Sequence, residues 1–143
     1  MDGPESTPET RTTVLLIDDS YNDRKYWTDV LKSPSFHYAV LEASSGEDGL
    51  DICRNTKVDC VVLDFDMPLS GYFTLGQLVS DPERPKIPVI ILTCLINPVL
   101  YELAKHNGAQ NWLVKQQTSP EDLHRAIQSA ITTVKSLSKR FDM

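Results

Sequence analysis

Asp64 and Asp66 close an apolar run, in CVVLDFDMP (60–68), with only Phe65 between them. Crowding ionised carboxylates against a buried segment is costly unless a cation or hydrogen bonds compensate. Other apolar runs also end in chemistry-bearing residues. TVLLI (13–17) is followed by Asp18 and Asp19, IPVIIL (87–92) by Thr93, and NWLV (111–114) by Lys115. Asp18, Asp19 and Asp64 make an oxygen-rich acidic cluster suited to Mg²⁺, which takes one or two carboxylates, waters and a phosphate oxygen. A carboxylate such as Asp64 can act as a nucleophile and form an acyl phosphate. Thr93 would donate its hydroxyl to one phosphoryl oxygen, and Lys115 would neutralise a second as a point charge. The chemistry is phosphoryl transfer, with the compensating positive charge coming from Lys115 and a divalent ion. Singly, each piece is commonplace, since Asp pairs are usual in solvated turns and a Thr or Lys often ends a strand. The order of the set, each piece at the mouth of its own apolar run, is what points to a site.

Such a set needs a frame that brings those run ends together. The run ending at Asp64 is VDCVVL (58–63), and with YAVLEA (38–43) the apolar runs number five. Four are nearly continuous in Val, Ile and Leu, as expected of parallel strands covered on both faces. The intervening segments have helical patterning. After Ser20, YNDRKYWTDVLK places Tyr26, Trp27, Val30 and Leu31 on one face. SGEDGLDICRN offers Leu50, Ile52 and Cys53, weakened by Gly49, and YFTLGQLVSDP is a short helix ended by Pro82. NPVLYELAKHNGA has Val99, Leu100 and Leu103 apolar, with Gly108 as a C-terminal cap. SPEDLHRAIQSAI has Ser119 as N-cap and Pro120 at the first helical position. This (βα)₅ alternation predicts an α/β fold with a parallel sheet and right-handed crossovers. In such open sheets, ligands bind beyond the carboxyl ends of the strands, where the polar set lies.

Composition bounds the function. A chain of 143 residues is one domain, and 41% hydrophobic with 24% charged residues is ordinary for a globular protein. A net charge of −6 and the lack of a Lys/Arg block argue against direct nucleic-acid binding. Cys53, Cys60 and Cys94 are odd in number with no CxxC spacing, pointing to reduced thiols in a cytosolic protein. Residues 1–12 lack the apolar core of a signal peptide and are expected to be a disordered lead-in. VIILTCLI (89–96) is far too short to span a membrane. The expected localisation is cytoplasmic. His37, His106 and His124 show no carboxylate partner in sequence and are expected in a loop or on helix surfaces.

LLIDDS, VVLDFDMP, VIILTC and GAQNWLVK together resemble the receiver domain of two-component response regulators, over about residues 13 to 132. The spacings fit as well: 45 residues from Asp19 to Asp64, 29 from Asp64 to Thr93, and 22 from Thr93 to Lys115. The resemblance implies a flavodoxin-like, doubly wound sheet of strand order 2-1-3-4-5. It implies that Asp64 accepts a phosphoryl group from a histidine kinase or histidine phosphotransfer protein. It also implies Mg²⁺ (or Mn²⁺) ligated directly by Asp19 and Asp64, by Asp18 through water, and by the backbone carbonyl of Asp66. Thr93 and Trp112 stand where the family has its switch residues, and Trp112 is bulkier than the usual Tyr or Phe. Asp66 and Leu95 occupy positions that tune acyl-phosphate lifetime, and Leu95 is expected to shield the linkage from water. Gln116 replaces the Pro that usually follows the lysine, and the loop after Pro68 is one residue shorter than the commonest pattern.

From Leu123 the apolar positions continue through Ile127, Ala130, Val134, Leu137 and Phe141, a heptad seam. Residues 133–143 thus read as an extension of the last helix, leading to an output module or forming a homodimer seam. Two rival functions bear on the same residues. A haloacid-dehalogenase-type phosphatase would use Asp64 as nucleophile and Asp66 as general acid, but its extra acidic pair follows the lysine. Here only Glu121 and Asp122 do so, as first-turn helix acids. The other rival is a receiver-like docking domain that works without phosphorylation. The expected protein is a phosphoacceptor with self-catalysed phosphorylation and dephosphorylation, not a turnover enzyme.

Overall fold

The computed structural model describes residues 11–67 and 71–141, with the backbone alone for Phe141. Most of the expected lead-in at 1–12 and the loop residues 68–70 lie outside the described residues. Five parallel strands, β1 (Thr13–Ile17), β2 (Ala39–Ala43), β3 (Cys60–Leu63), β4 (Val89–Thr93) and β5 (Asn111–Val114), form one sheet in the order β2-β1-β3-β4-β5. The helices are α1 (Tyr21–Lys32), α2 (Gly46–Asn55), α3 (Gly71–Leu78), α4 (Pro98–His106) and α5 (Pro120–Phe141).

Alternation along the strands sorts the core into two layers. Val14, Leu16, Cys60, Val62, Ile90 and Leu92 point to one face, where Trp27 and Leu31 of α1 and Leu123 and Ile127 of α5 cover them. Leu15, Ile17, Val61, Leu63, Val89 and Ile91 point to the other, against Leu75 of α3 and Ala104 of α4. Each of the large side chains contributes about 2 kcal/mol on burial, which is why these runs carry almost no polar residue before their ends.

The helix ends follow their caps. Ser20 Oγ accepts from Asp23 N–H and Ser45 Oγ from Asp48 N–H. Asn97 Oδ1 accepts from Val99 and Leu100 N–H with Pro98 in the first turn. Ser119 and Asp122 cap reciprocally, Ser119 Oγ accepting from Asp122 N–H and Asp122 Oδ2 from Ser119 N–H. Gly108, with φ +98°, takes the left-handed position just after α4 that a side chain disfavours.

Two apolar faces differ from expectation. Tyr26 of α1 is 52% exposed, since Trp27, Thr28 and Leu31 take the buried positions. On α4, Val99 is 68% and Leu103 40% exposed, and Ala104 is the helix's buried residue. α4 touches the sheet through its smallest apolar side chain, with Leu100 half-buried and Val99 and Leu103 facing solvent. His124 is more than a surface residue: its Nδ1 lies 2.8 Å from Tyr38 Oη and its ring stacks against Phe36. His106 Nε2 lies 3.9 Å from Glu102, the i,i+4 partner on α4.

Candidate functional site

The parallel ladders run one residue past β1 and β3. Asp18 N–H donates to Ala43 O and Asp64 N–H to Ile17 O, at 3.1 and 3.0 Å. Both side chains therefore emerge together at the carboxyl edge of the sheet, 1% and 4% exposed. β5 delivers Lys115 to the same edge, where Lys115–Gln117 form a 3₁₀ turn. Thr118 Oγ1 steadies that turn by donating to Val114 O at 2.7 Å.

Lys115 Nζ donates to Asp18 Oδ2 at 2.7 Å, Asp64 Oδ2 at 2.9 Å and Asp23 Oδ2 at 2.7 Å. The other carboxylate oxygens are held by backbone: Asp18 Oδ1 accepts from Ser20 N–H at 2.8 Å, and Asp64 Oδ1 from Asp66 N–H at 2.7 Å. Arg24 fixes the same corner by donating to Asp18 O at 2.7 Å and to Glu42 Oε1 at 3.1 Å. Burial alone would depress the Lys115 ammonium, but its hydrogen bonds to Asp18, Asp23 and Asp64 outweigh this and raise it above the ordinary lysine value. Burial pushes Asp18 up, against the hydrogen bonds from Lys115 and Ser20, and the neighbouring Asp64 carboxylate adds to the rise.

Thr93 is fully buried at the end of β4, and its Oγ1 accepts from Leu95 N–H at 3.3 Å. That bond uses an oxygen lone pair and leaves the hydroxyl proton able to donate. Leu95 is half-buried beside it. Asp19 and Asp66 are exposed next to the cluster and are not among the carboxylates on Lys115. Trp112 is half-buried, edge-on to Phe65 (5.4 Å between centroids) and Tyr101 (6.2 Å), while Phe65 also meets Tyr72 at 6.3 Å. An aromatic path thus leads from the residue after Asp64 to α3 and α4. The start of α3 presses on the same backbone: a Cβ on Gly71 would lie 2.7 Å from Phe65 Cα and 3.0 Å from Asp64 O.

The structure brings together Asp18, Asp64 and Lys115 and sets Thr93 at the end of the neighbouring strand. Sequence reasoning missed Asp23, whose place in the first turn of α1 has the ordinary explanation of complementing the helix dipole. It also missed Phe65 as the ring that joins Trp112 to the Asp64 segment. Three carboxylates on one ammonium leave a surplus of negative charge, and all the donors are hard oxygens. Among the described residues no three acidic, thiol or imidazole groups form a ready metal cage. That donor set fits a partly hydrated Mg²⁺, which needs only one or two carboxylates.

The family model for the response regulator receiver domain matches residues 14–128. The chain is 35% identical over 103 residues to Protein PilH of Pseudomonas aeruginosa, covering 71% of this chain and 84% of that one. It is 33% identical over 109 residues to a probable cyclic di-GMP phosphodiesterase of Vibrio cholerae, covering 76% of this chain but only 24% of that longer protein. The crystal structure of a response regulator receiver domain protein from Clostridium thermocellum superposes with a TM-score of 0.76 at 32% identity, over 88% of this chain and 98% of that one.

Proposed function

The chain belongs to the response regulator receiver domain family, and on that footing we propose that it is a phosphorylation-dependent signalling domain whose phosphoacceptor is Asp64. The observation that supports this most is the 2.9 Å contact of Lys115 Nζ on the buried Asp64 carboxylate. A nucleophilic carboxylate needs a cation held ready for the charge that arrives, and Lys115 is that cation. The donor is a phosphohistidine of a histidine kinase or histidine phosphotransfer protein. An Asp64 carboxylate oxygen attacks phosphorus, a P–O bond forms as the P–N bond breaks, and the imidazole nitrogen keeps the electron pair. Lys115 turns one N–H onto a phosphoryl oxygen while staying with Asp64, and Thr93 turns its free hydroxyl proton onto another.

Mg²⁺ (or Mn²⁺), held by Asp19 and Asp64, by Asp18 through water and by the Asp66 carbonyl, would neutralise phosphoryl oxygens as a Lewis acid. Pulling Thr93 toward the phosphoryl group vacates space at the end of β4, and Trp112 with Phe65 and Tyr101 reports the change on α4. Thr93 and Trp112 are the switch on this account. Leu95 shields the acyl phosphate, so that Leu95→Asn shortens its half-life. The phosphoryl group leaves by self-catalysed hydrolysis, so the domain works by lifetime and not by turnover. The C-terminal extension, residues 133–143, carries an output module or pairs with a second copy of the chain. No helix among the described residues is long and apolar enough to cross a membrane, and the proposed site of action is the cytoplasm.

The test is intact mass after incubation with acetyl phosphate and Mg²⁺, on wild type and Asp64→Asn. One phosphoryl adduct on wild type alone is the expected result. Sustained turnover of acetyl phosphate with no adduct would instead favour phosphatase chemistry, and a folded protein that does neither would be a docking domain.

A further inference from the structure

Resting on the phosphoacceptor role of Asp64, we propose that Asp23, in the first turn of α1, is a positioning residue that competes with the incoming phosphoryl group for Lys115. An ammonium has three N–H donors. Lys115 uses all three, on Asp18, Asp23 and Asp64, at 2.7, 2.7 and 2.9 Å. A phosphoryl oxygen can gain a bond from Lys115 only if one of these is given up.

The three partners are not equivalent. Asp18 and Asp64 are buried, with side chains 2% and 4% exposed, and each is tied by a backbone N–H on its second oxygen. Withdrawing Lys115 from either would strand a buried carboxylate. The Asp23 side chain is 41% exposed, and its carboxylate makes no second hydrogen bond among the described residues. Water can take the place of Lys115 there. Asp23 is therefore the partner that yields, and its pull on Lys115 opposes phosphorylation until it does. The Asp23 N–H is capped by Ser20 Oγ at 3.3 Å, which keeps the carboxylate over the site while α1 is intact. Asn at this position can keep that backbone cap while losing the charge.

The experiment titrates beryllofluoride, a phosphoryl mimic, with Mg²⁺ present and reads bound ¹⁹F resonances for wild type, Asp23→Asn and Asp23→Ala. Both variants should bind roughly two- to fivefold tighter, the size expected for losing a competing ion pair open to water. Lys115 ammonium protons, followed by ¹⁵N NMR, should exchange faster in both variants, because one N–H loses its acceptor. Asp29→Asn makes the same charge change further along α1 and should leave the affinity unchanged. Equal or weaker binding by the Asp23 variants, or equal tightening by Asp29→Asn, would overturn the role given to Asp23 while leaving the phosphoacceptor intact. Wild type that takes neither beryllofluoride nor a phosphoryl group from acetyl phosphate would overturn both.

Discussion

Lys115 is the residue on which the site turns, because it alone among the described residues offsets Asp18, Asp23 and Asp64 together. Lys115→Met leaves two buried carboxylates facing each other, and should cost about 3 kcal/mol in urea denaturation at neutral pH. In the opposite sense, Asp64→Asn removes part of the surplus negative charge and should raise the melting temperature in Mg²⁺-free buffer. Asp18 gives a pH dependence whose sign can be fixed. Burial raises it above 3.8, so its contribution to stability is fully present below that value and is lost as pH rises through the raised folded value. Asp18→Asn should flatten that part of the stability–pH curve, and an unchanged slope would contradict the assignment. Cys94, exposed next to Thr93, is a built-in probe of the same field. Partial burial raises its thiol, Lys115 opposes the rise, and the carboxylates of Asp23, Asp64 and Asp66 add to it. Alkylation followed by peptide mass should label Cys94 before buried Cys60, and Mg²⁺ should speed Cys94 by offsetting those carboxylates.

At the scale of elements, α2 approaches the sheet closely at a glycine. A Cβ on Gly49 of α2 would collide with Ile17 Cδ1 and lie 2.8 Å from Ile17 Cγ1, in the residue before Asp18. Gly49→Ala should therefore cost about 1–3 kcal/mol despite its better helix propensity, measured by urea denaturation. This reverses what the sequence suggests, where Gly49 only weakens a helix. Most of the strands were legible because a strand buried on both faces must be a nearly continuous apolar run, and the polar residue ending such a run marks the carboxyl edge. The capping residues Ser20, Asn97 and Ser119 likewise have a local cause that a sequence displays. The outward set of α4 was not legible, because helical periodicity shows that a stripe exists and not whether anything covers it. Nor was Asp23: a first-turn acid and a ligand of a lysine 92 positions away look alike until the fold brings them together.

Across the whole molecule, the site at one edge and the long last helix are tied to one core. α5 lays Leu123, Ile127 and Ala130 on the sheet and α1, Val134 is also buried, and beyond it the described side chains are exposed apart from half-buried Leu137. Truncation after residue 132 uncovers the surface that Val134 protects. It should lower stability by about 2 kcal/mol while leaving acetyl phosphate labelling intact, since no site residue lies beyond Lys115. On the proposed reading, this fold holds one carboxylate, Asp64, ready for a phosphoryl group. The most direct test of that reading is borohydride trapping after acetyl phosphate and Mg²⁺ treatment, which reduces an aspartyl phosphate to homoserine, followed by peptide sequencing by mass. Homoserine should appear at position 64 and at no other acidic residue. Homoserine at Asp18, Asp19, Asp23 or Asp66, or none at all in a protein that is folded and exposed to the donor, would contradict it.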